Sequence, residues 1–159
     1  MKMRKGFTLL ELMVVVAIIA FLTMIAVPNV MRFYAKAKRA EAYMQLHVLY
    51  AAEKAYWMEH GTYTDVLIGA DSIGWKPEGY KGGGKNENFL YTYGFSGGEG
   101  RNFVTGKLQT PATYLGSAKA DKEGFIAVAA GDIDGDGKPD VLTINQDNVI
   151  TIVQDDLND

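Results

Sequence analysis

The sequence predicts an α+β protein in which one long amino-terminal helix, half membrane-length and half amphipathic, packs against a small antiparallel β-sheet head. Two observations carry that expectation. The first is an apolar run over residues 7–27, FTLLELMVVVAIIAFLTMIAV, followed by good helix formers with no glycine before Gly61. The second is a set of short runs after residue 88, rich in aromatic and β-branched residues and separated by Gly, Asp and Asn turns. With 159 residues, the chain has room for one modest soluble domain beyond the apolar run. It contains no cysteine, which excludes disulfides and thiolate chemistry. A net charge of −3 argues against nucleic acid as a bulk electrostatic partner, and no specific nucleic-acid contact is expected.

The amino end opens on MKMRKG, with Lys2, Arg4 and Lys5 ahead of the apolar run. A basic start before apolar residues is also how a secretory signal begins. Here the run is longer than a signal core, no small-x-small site ends it, and helical sequence continues past it. As a helix, residues 7–27 would extend roughly 31 Å, close to the hydrocarbon thickness of a bilayer. A basic start fits a cytoplasmic amino end, although Arg32, Lys36, Lys38 and Arg39 make the far flank basic as well. Glu11 is the one charge inside the run. An ionisable group in a membrane helix is costly and usually has a partner. The alternatives are an acid near the interface that reaches water, and an acid waiting for a cation from another molecule. Pro28, at the end of the run, removes a helical donor and predicts a kink or local melting, or else a helix end at Val27.

The segment Lys5-Gly6-Phe7-Thr8-Leu9-Leu10-Glu11-Leu12 resembles the leader junction of type IV pilins and the related type II secretion pseudopilins. In that family a membrane peptidase cuts after the glycine and N-methylates the new first residue. The resemblance implies that Gly6 ends the leader and Phe7 becomes the mature amino end. It matches Glu11 to the family's acid and Pro28 to its proline beyond the apolar run. AAEKAYWMEHGTYT, ending at Thr64, is similar to the helix end in the same family. What this implies is a pilin-like fold and a filament of identical or homologous subunits. It implies a prepilin peptidase as processing partner, and a single-pass inner-membrane form before assembly into an extracellular pilus. A helix holds Glu11 one turn from its own Phe7 amine, so the amine of a shifted neighbouring copy is the expected counter-charge.

Five stretches follow: a leader at 1–6, an apolar helix at 7–28, an amphipathic half at 29–58, a connecting loop at 59–88 and a sheet head at 89–159. In the amphipathic half, Tyr43, Leu46, Leu49, Tyr50, Tyr56 and Trp57 recur at helical spacing and are expected to lie under the head. Arg39, Glu41, Gln45, Glu53 and Lys54 are expected to supply the polar side. The basic cluster is read as a solvated flank or as a partner for acids of a neighbouring subunit. Gly61 is a natural residue after the helix end. The loop is irregular, with a flexible Gly82-Gly83-Gly84 run. Strands are expected over Phe89 to Phe95, near Asn102 to Val104, from Gly124 to Ala130, from Val141 to Asn145 and from Val149 to Val153, the last two forming a hairpin.

One stretch carries site chemistry. Asp132, Asp134, Asp136 and Asp140 stand within nine residues, with Gly135 and Gly137 between them. The alternation of acids followed by glycine matches the opening of an EF-hand-like calcium loop, with Asp140 at its ninth position. Hard Ca²⁺ takes many oxygens, and glycine lets the chain wrap around it. Thr143 stands where an EF-hand has its bidentate Glu, so the loop is incomplete by that standard. The alternatives are a Ca²⁺ site and a solvated, empty turn. The resemblance adds that major secretion pseudopilins hold Ca²⁺ in a carboxy-terminal loop. No catalytic constellation is found: His47 and His60 lack ligand spacing, and the glycine run lacks the strand and helix of a phosphate loop. Besides a pilin, the readings in play are a type II secretion pseudopilin and a non-polymerising membrane anchor with a calcium-dependent binding domain.

Overall fold

The computed structural model describes residues 6–97 and 100–158. The basic leader residues Lys2, Arg4 and Lys5, and part of the turn expected at 96–100, lie outside them. The order of elements is one helix followed by six strands, with one short 3₁₀ turn, which is the expected α+β arrangement.

Helix α1 runs over Leu9–His60, 52 residues, with Pro28 inside it rather than at its end. Two side chains reinforce backbone acceptors near the proline: Thr23 Oγ1 donates to the Ile19 carbonyl at 2.7 Å and Asn29 Nδ2 to the Ile25 carbonyl at 3.1 Å. The helix closes at Gly61, whose φ of 69° lets the chain turn while its N–H reaches the Trp57 carbonyl at 2.8 Å.

By contacts the chain forms two units, residues 1–34 and residues 35–159. In the first, every described side chain is exposed, apolar ones included, and this part of the helix is long and apolar enough to cross a membrane. Such an apolar surface needs lipid or other protein against it.

The second unit is built on an antiparallel sheet of strand order β2-β1-β4-β5-β6, with β3 pairing β4 as well. The strands are β1 Thr92–Gly94, β2 Phe103–Val104, β3 Lys119–Ala120, β4 Phe125–Gly131, β5 Asp140–Asn145 and β6 Ile150–Gln154. The expected hairpin is β5–β6, turning through Asn148 at a φ of 60°. The alternation Phe89, Tyr91, Tyr93, Phe95 is buried throughout, but regular pairing is confined to the three residues of β1. Gly94 explains part of this: a Cβ there would stand 2.3 Å from the Asn102 carbonyl oxygen, so the crossing of β1 and β2 requires glycine. The connecting loop is irregular as expected, yet anchored by buried Leu67 and by Trp75, whose ring meets Tyr93 edge-on at 5.8 Å. Its glycine run folds around Glu87, whose Oε1 accepts from the N–H groups of Lys81 and Gly83, both at 2.7 Å.

The helix face buried in this unit differs from the aromatic stripe expected. It is Ala35, Arg39, Ala42, Leu46, Leu49 and Glu53, while Tyr43 and Tyr50 flank it and Trp57 is exposed. Arg39 and Glu53, assigned by sequence to the polar side, are therefore inside. Glu41 is half-buried and ties the helix to β1, its Oε1 accepting from the Leu90 N–H at 2.7 Å and the Tyr93 hydroxyl at 3.1 Å.

Glu53 has an energetic consequence. Its Oε2 takes only a long contact of 3.4 Å from the Thr64 N–H, and buried Oε1 has no hydrogen-bond partner among the described residues. Burial, with some help from the Asp65 charge, pushes its carboxyl up to about 8. The folded chain thus keeps a proton that the unfolded chain releases near the ordinary value of 4.5. Stability contributed by this group is present at low pH and is lost as pH rises towards 8, at up to about 1.4 kcal/mol per pH unit. Glu53→Gln is expected to flatten that slope and to raise the thermal midpoint at pH 8, measured on the full chain in detergent micelles; an unchanged slope would contradict it.

Candidate functional site

Two places gather the residues singled out by sequence: the amino end of α1 and the acidic loop between β4 and β5.

At the amino end, Gly6 and Phe7 precede the helix, and Phe7 is 81% exposed. Thr8 caps the helix. Its hydroxyl accepts from the Glu11 N–H at 3.2 Å, while a single Glu11 oxygen, Oε2, accepts both the Thr8 N–H at 2.8 Å and the Thr8 hydroxyl at 2.9 Å. This is a reciprocal capping box. The sequence carries the signal for this box as Thr-x-x-Glu before an apolar run. The carboxylate is therefore held at the exposed start of the helix, where the helix dipole also favours it.

In the loop, each carboxylate folds the backbone around itself. Asp132 Oδ1 accepts from the Gly135 N–H at 2.7 Å and its Oδ2 from the Gly137 N–H at 3.1 Å. Asp134 Oδ1 accepts from the Asp136 N–H at 3.0 Å, and Asp136 Oδ1 from the Lys138 N–H at 2.8 Å. Gly135 and Gly137 have φ of 93° and 94°, which this tight winding requires.

The acids that converge are not the four counted along the sequence. Oxygens of Asp132, Asp134, Asp136 and Asp156 lie within 4.8 Å of one another. Asp156 follows β6 and is buried; Oδ2 accepts from the Ile133 N–H at 2.8 Å, and Oδ1 is buried without a hydrogen-bond partner among the described residues. Burial and the charges of Asp134, Asp132 and Asp136 push the Asp156 carboxyl up to about 6.

Asp140 goes elsewhere. It opens β5 and shares the inward face with Leu142 and Ile144, because alternate strand residues face the same way. Fully buried, its Oδ2 accepts from Arg39 Nε and from the Tyr91 hydroxyl, both at 2.9 Å, and its Oδ1 accepts from Arg39 Nη2. The same Nη2 donates to Asp155. Asp155 is held down to about 2, chiefly by that Arg39 bond and then by Asn158 and the Leu157 N–H. Lys38 Nζ donates to the Ile133 carbonyl. Two members of the basic cluster, read as flank or as intersubunit partners, are thus occupied within the chain, whereas Arg32 and Lys36 are exposed. Thr143 lies in β5 with its hydroxyl 3.4 Å from the Thr151 carbonyl. Of the histidines, His47 Nδ1 lies 2.9 Å from Asn148 Oδ1 and His60 stacks on Tyr56.

Ca²⁺ binds oxygens at about 2.4 Å, so ligands across the ion stand about 4.8 Å apart. Four carboxylates whose oxygens lie within 4.8 Å of one another fit the donor set of a hard divalent cation.

Residues 1–27 match the family described as "Prokaryotic N-terminal methylation motif", and residues 125–153 match the "FG-GAP repeat". The second match covers the acidic loop and stops short of Asp156. The chain is 47% identical over 74 residues to the "Type IV major pilin protein PilA" of Myxococcus xanthus (strain DK1622), covering 46% of this chain and 32% of that one. It is 35% identical over 63 residues to the "Type IV major pilin protein PilE1" of Neisseria gonorrhoeae, 40% of this chain and 38% of the other. It is 35% identical over 74 residues to the "Type II secretion system core protein G" of Pectobacterium carotovorum subsp. carotovorum, 46% and 47% respectively. The chain thus spans between 32% and 47% of the length of these relatives.

Proposed function

We propose, from that amino end and its likeness to type IV pilins and a secretion pseudopilin, that the chain is a structural subunit of a type IV pilus filament. The observation that carries this reading is a Gly6-Phe7 junction leading into an apolar helix whose described side chains are all exposed through Tyr34. Lipid covers that surface while the subunit is stored in the inner membrane. Helices of neighbouring subunits cover it in the extracellular filament, where a head-to-tail contact propagates an open helix. A prepilin peptidase removes residues 1–6 and methylates Phe7. Glu11 then neutralises the Phe7 amine of the adjoining subunit, which lets both charges leave water together. The role is structural rather than catalytic.

The likeness to a type II secretion core protein favours a second reading, a pseudopilin of a secretion system. Electron microscopy of material sheared from cells separates the two. Long surface filaments containing this chain support the pilin, and their absence in cells that make the processed protein supports the pseudopilin.

The loop at Asp132, Asp134 and Asp136 is proposed to hold Ca²⁺, which would supply charge neutralisation and a fixed loop geometry. Ligand binding to the folded state alone stabilises by about 2.7 kcal/mol at a hundredfold excess over Kd, a rise of roughly 10 °C for a unit of this size. Millimolar Ca²⁺ is expected to raise the thermal midpoint of the full chain in micelles by that amount relative to EGTA. No shift and no heat of binding would rule the cation out.

A further inference from the structure

We propose that the cation is a clamp closed by Asp156, which fastens the carboxy-terminal segment to the loop and, through it, to helix α1. The proposal rests on the calcium reading of the loop and adds a ligand and a purpose to it.

Asp156 lies three residues beyond the end of the FG-GAP match, so neither that match nor the spacing of the DxDxDG run includes it. Its buried, unpartnered Oδ1 is the second observation pointing to a ligand. A buried carboxylate oxygen with no donor among the described residues, beside three more carboxylates, is costly unless a cation joins them. The surroundings show what the clamp would hold. Ile133, between two loop acids, donates its N–H to Asp156 and accepts from Lys38 of the helix. Asp155, next to Asp156, accepts from Arg39 of the helix. The Asp156 N–H reaches Asp140 Oδ1 at 3.4 Å, and Asp140 is itself bound to Arg39. Drawing the four acids onto one ion therefore fixes both the backbone of Ile133 and the Asp155-Asp156 pair, which are the seats of Lys38 and Arg39.

The test is hydrogen exchange by mass spectrometry on the full chain in detergent micelles, in millimolar Ca²⁺ and in EGTA, with calcium affinity measured on the same samples. Ca²⁺ is expected to slow exchange about tenfold or more in three segments: the loop, residues 155–158, and the helix around residues 36–42. Asp156→Asn is expected to weaken calcium affinity by about tenfold or more. In EGTA the same variant is expected to melt no lower than the native chain, since it removes a repelling charge. Asp155→Asn is expected to keep calcium binding, loop protection and the Lys38 contact to Ile133 while losing part of the protection around Arg39. Native-like calcium affinity in Asp156→Asn, or protection confined to the loop in a chain that binds Ca²⁺, overturns the clamp and leaves the loop site standing. Failure of the native chain to bind Ca²⁺ overturns both.

Discussion

Glu11→Ala is expected to abolish surface filaments while the protein is still cut after Gly6 and retained in the membrane. In the proposed filament the Phe7 amine of each subunit is buried among apolar helices, and the neighbour's Glu11 is the anion that makes this tolerable. Removing one partner of a buried pair leaves the other uncompensated, at a cost of about 3–5 kcal/mol per contact. That is more than about a hundredfold in affinity at every junction, enough to stop polymer growth. The capping box supplies the necessary control, because Glu11 also serves its own helix through Thr8. Thr8→Ala breaks the box, costs about 1 kcal/mol of helix capping and leaves the carboxylate in place. Filament yield in sheared fractions should therefore survive in Thr8→Ala and vanish in Glu11→Ala. Equal loss in both would make Glu11 a helix cap, and normal yield in Glu11→Ala would remove it from assembly.

Arg39→Ala is expected to destabilise the carboxy-terminal unit by about 3–5 kcal/mol, the cost of leaving a buried charge unpaired. Asp140 is fully buried and depends on Arg39 for two of its hydrogen bonds, with Tyr91 supplying another. Tyr91→Phe, which removes one bond to a charged acceptor, is expected to cost less, about 2 kcal/mol. Adding Asp140→Asn to Arg39→Ala should recover part of the loss, because the stranded charge is gone. Denaturant unfolding followed by fluorescence of buried Trp75 measures all three. A loss below that of Tyr91→Phe would show the ion pair to be incidental.

The elements that could be read from sequence are those set by local chemistry. The helix follows from composition and from Gly61, running two residues past the end expected at 58, and β4, β5 and β6 follow from β-branched runs bounded by turns. The two-residue strands β2 and β3 carry little pattern of their own and exist through pairing with β1 and β4. A helical stripe centred on the aromatic residues puts Arg39 and Glu53 on the polar side, whereas both are buried. The buried face instead follows Ala35, Ala42, Leu46 and Leu49, with Arg39 on it facing Asp140 of β5 and Glu53 on it facing the Thr64 N–H of the connecting loop. Spacing groups Asp140 with the loop, although its place two residues before Leu142 and four before Ile144 sets it on the inward face of β5. Asp156 gave no signal at all, since it reaches the loop only after β6 has paired with β5. The Thr8-Glu11 box is the opposite case, a local pattern fully written in the sequence.

Mass spectrometry of filaments sheared from the cell surface tests the central claim most directly. The account predicts a chain that begins at an N-methylated Phe7, lacks residues 1–6 and is recovered in polymer. A chain that still begins at Met1, found as single copies in the membrane with no polymer outside the cell, would contradict it.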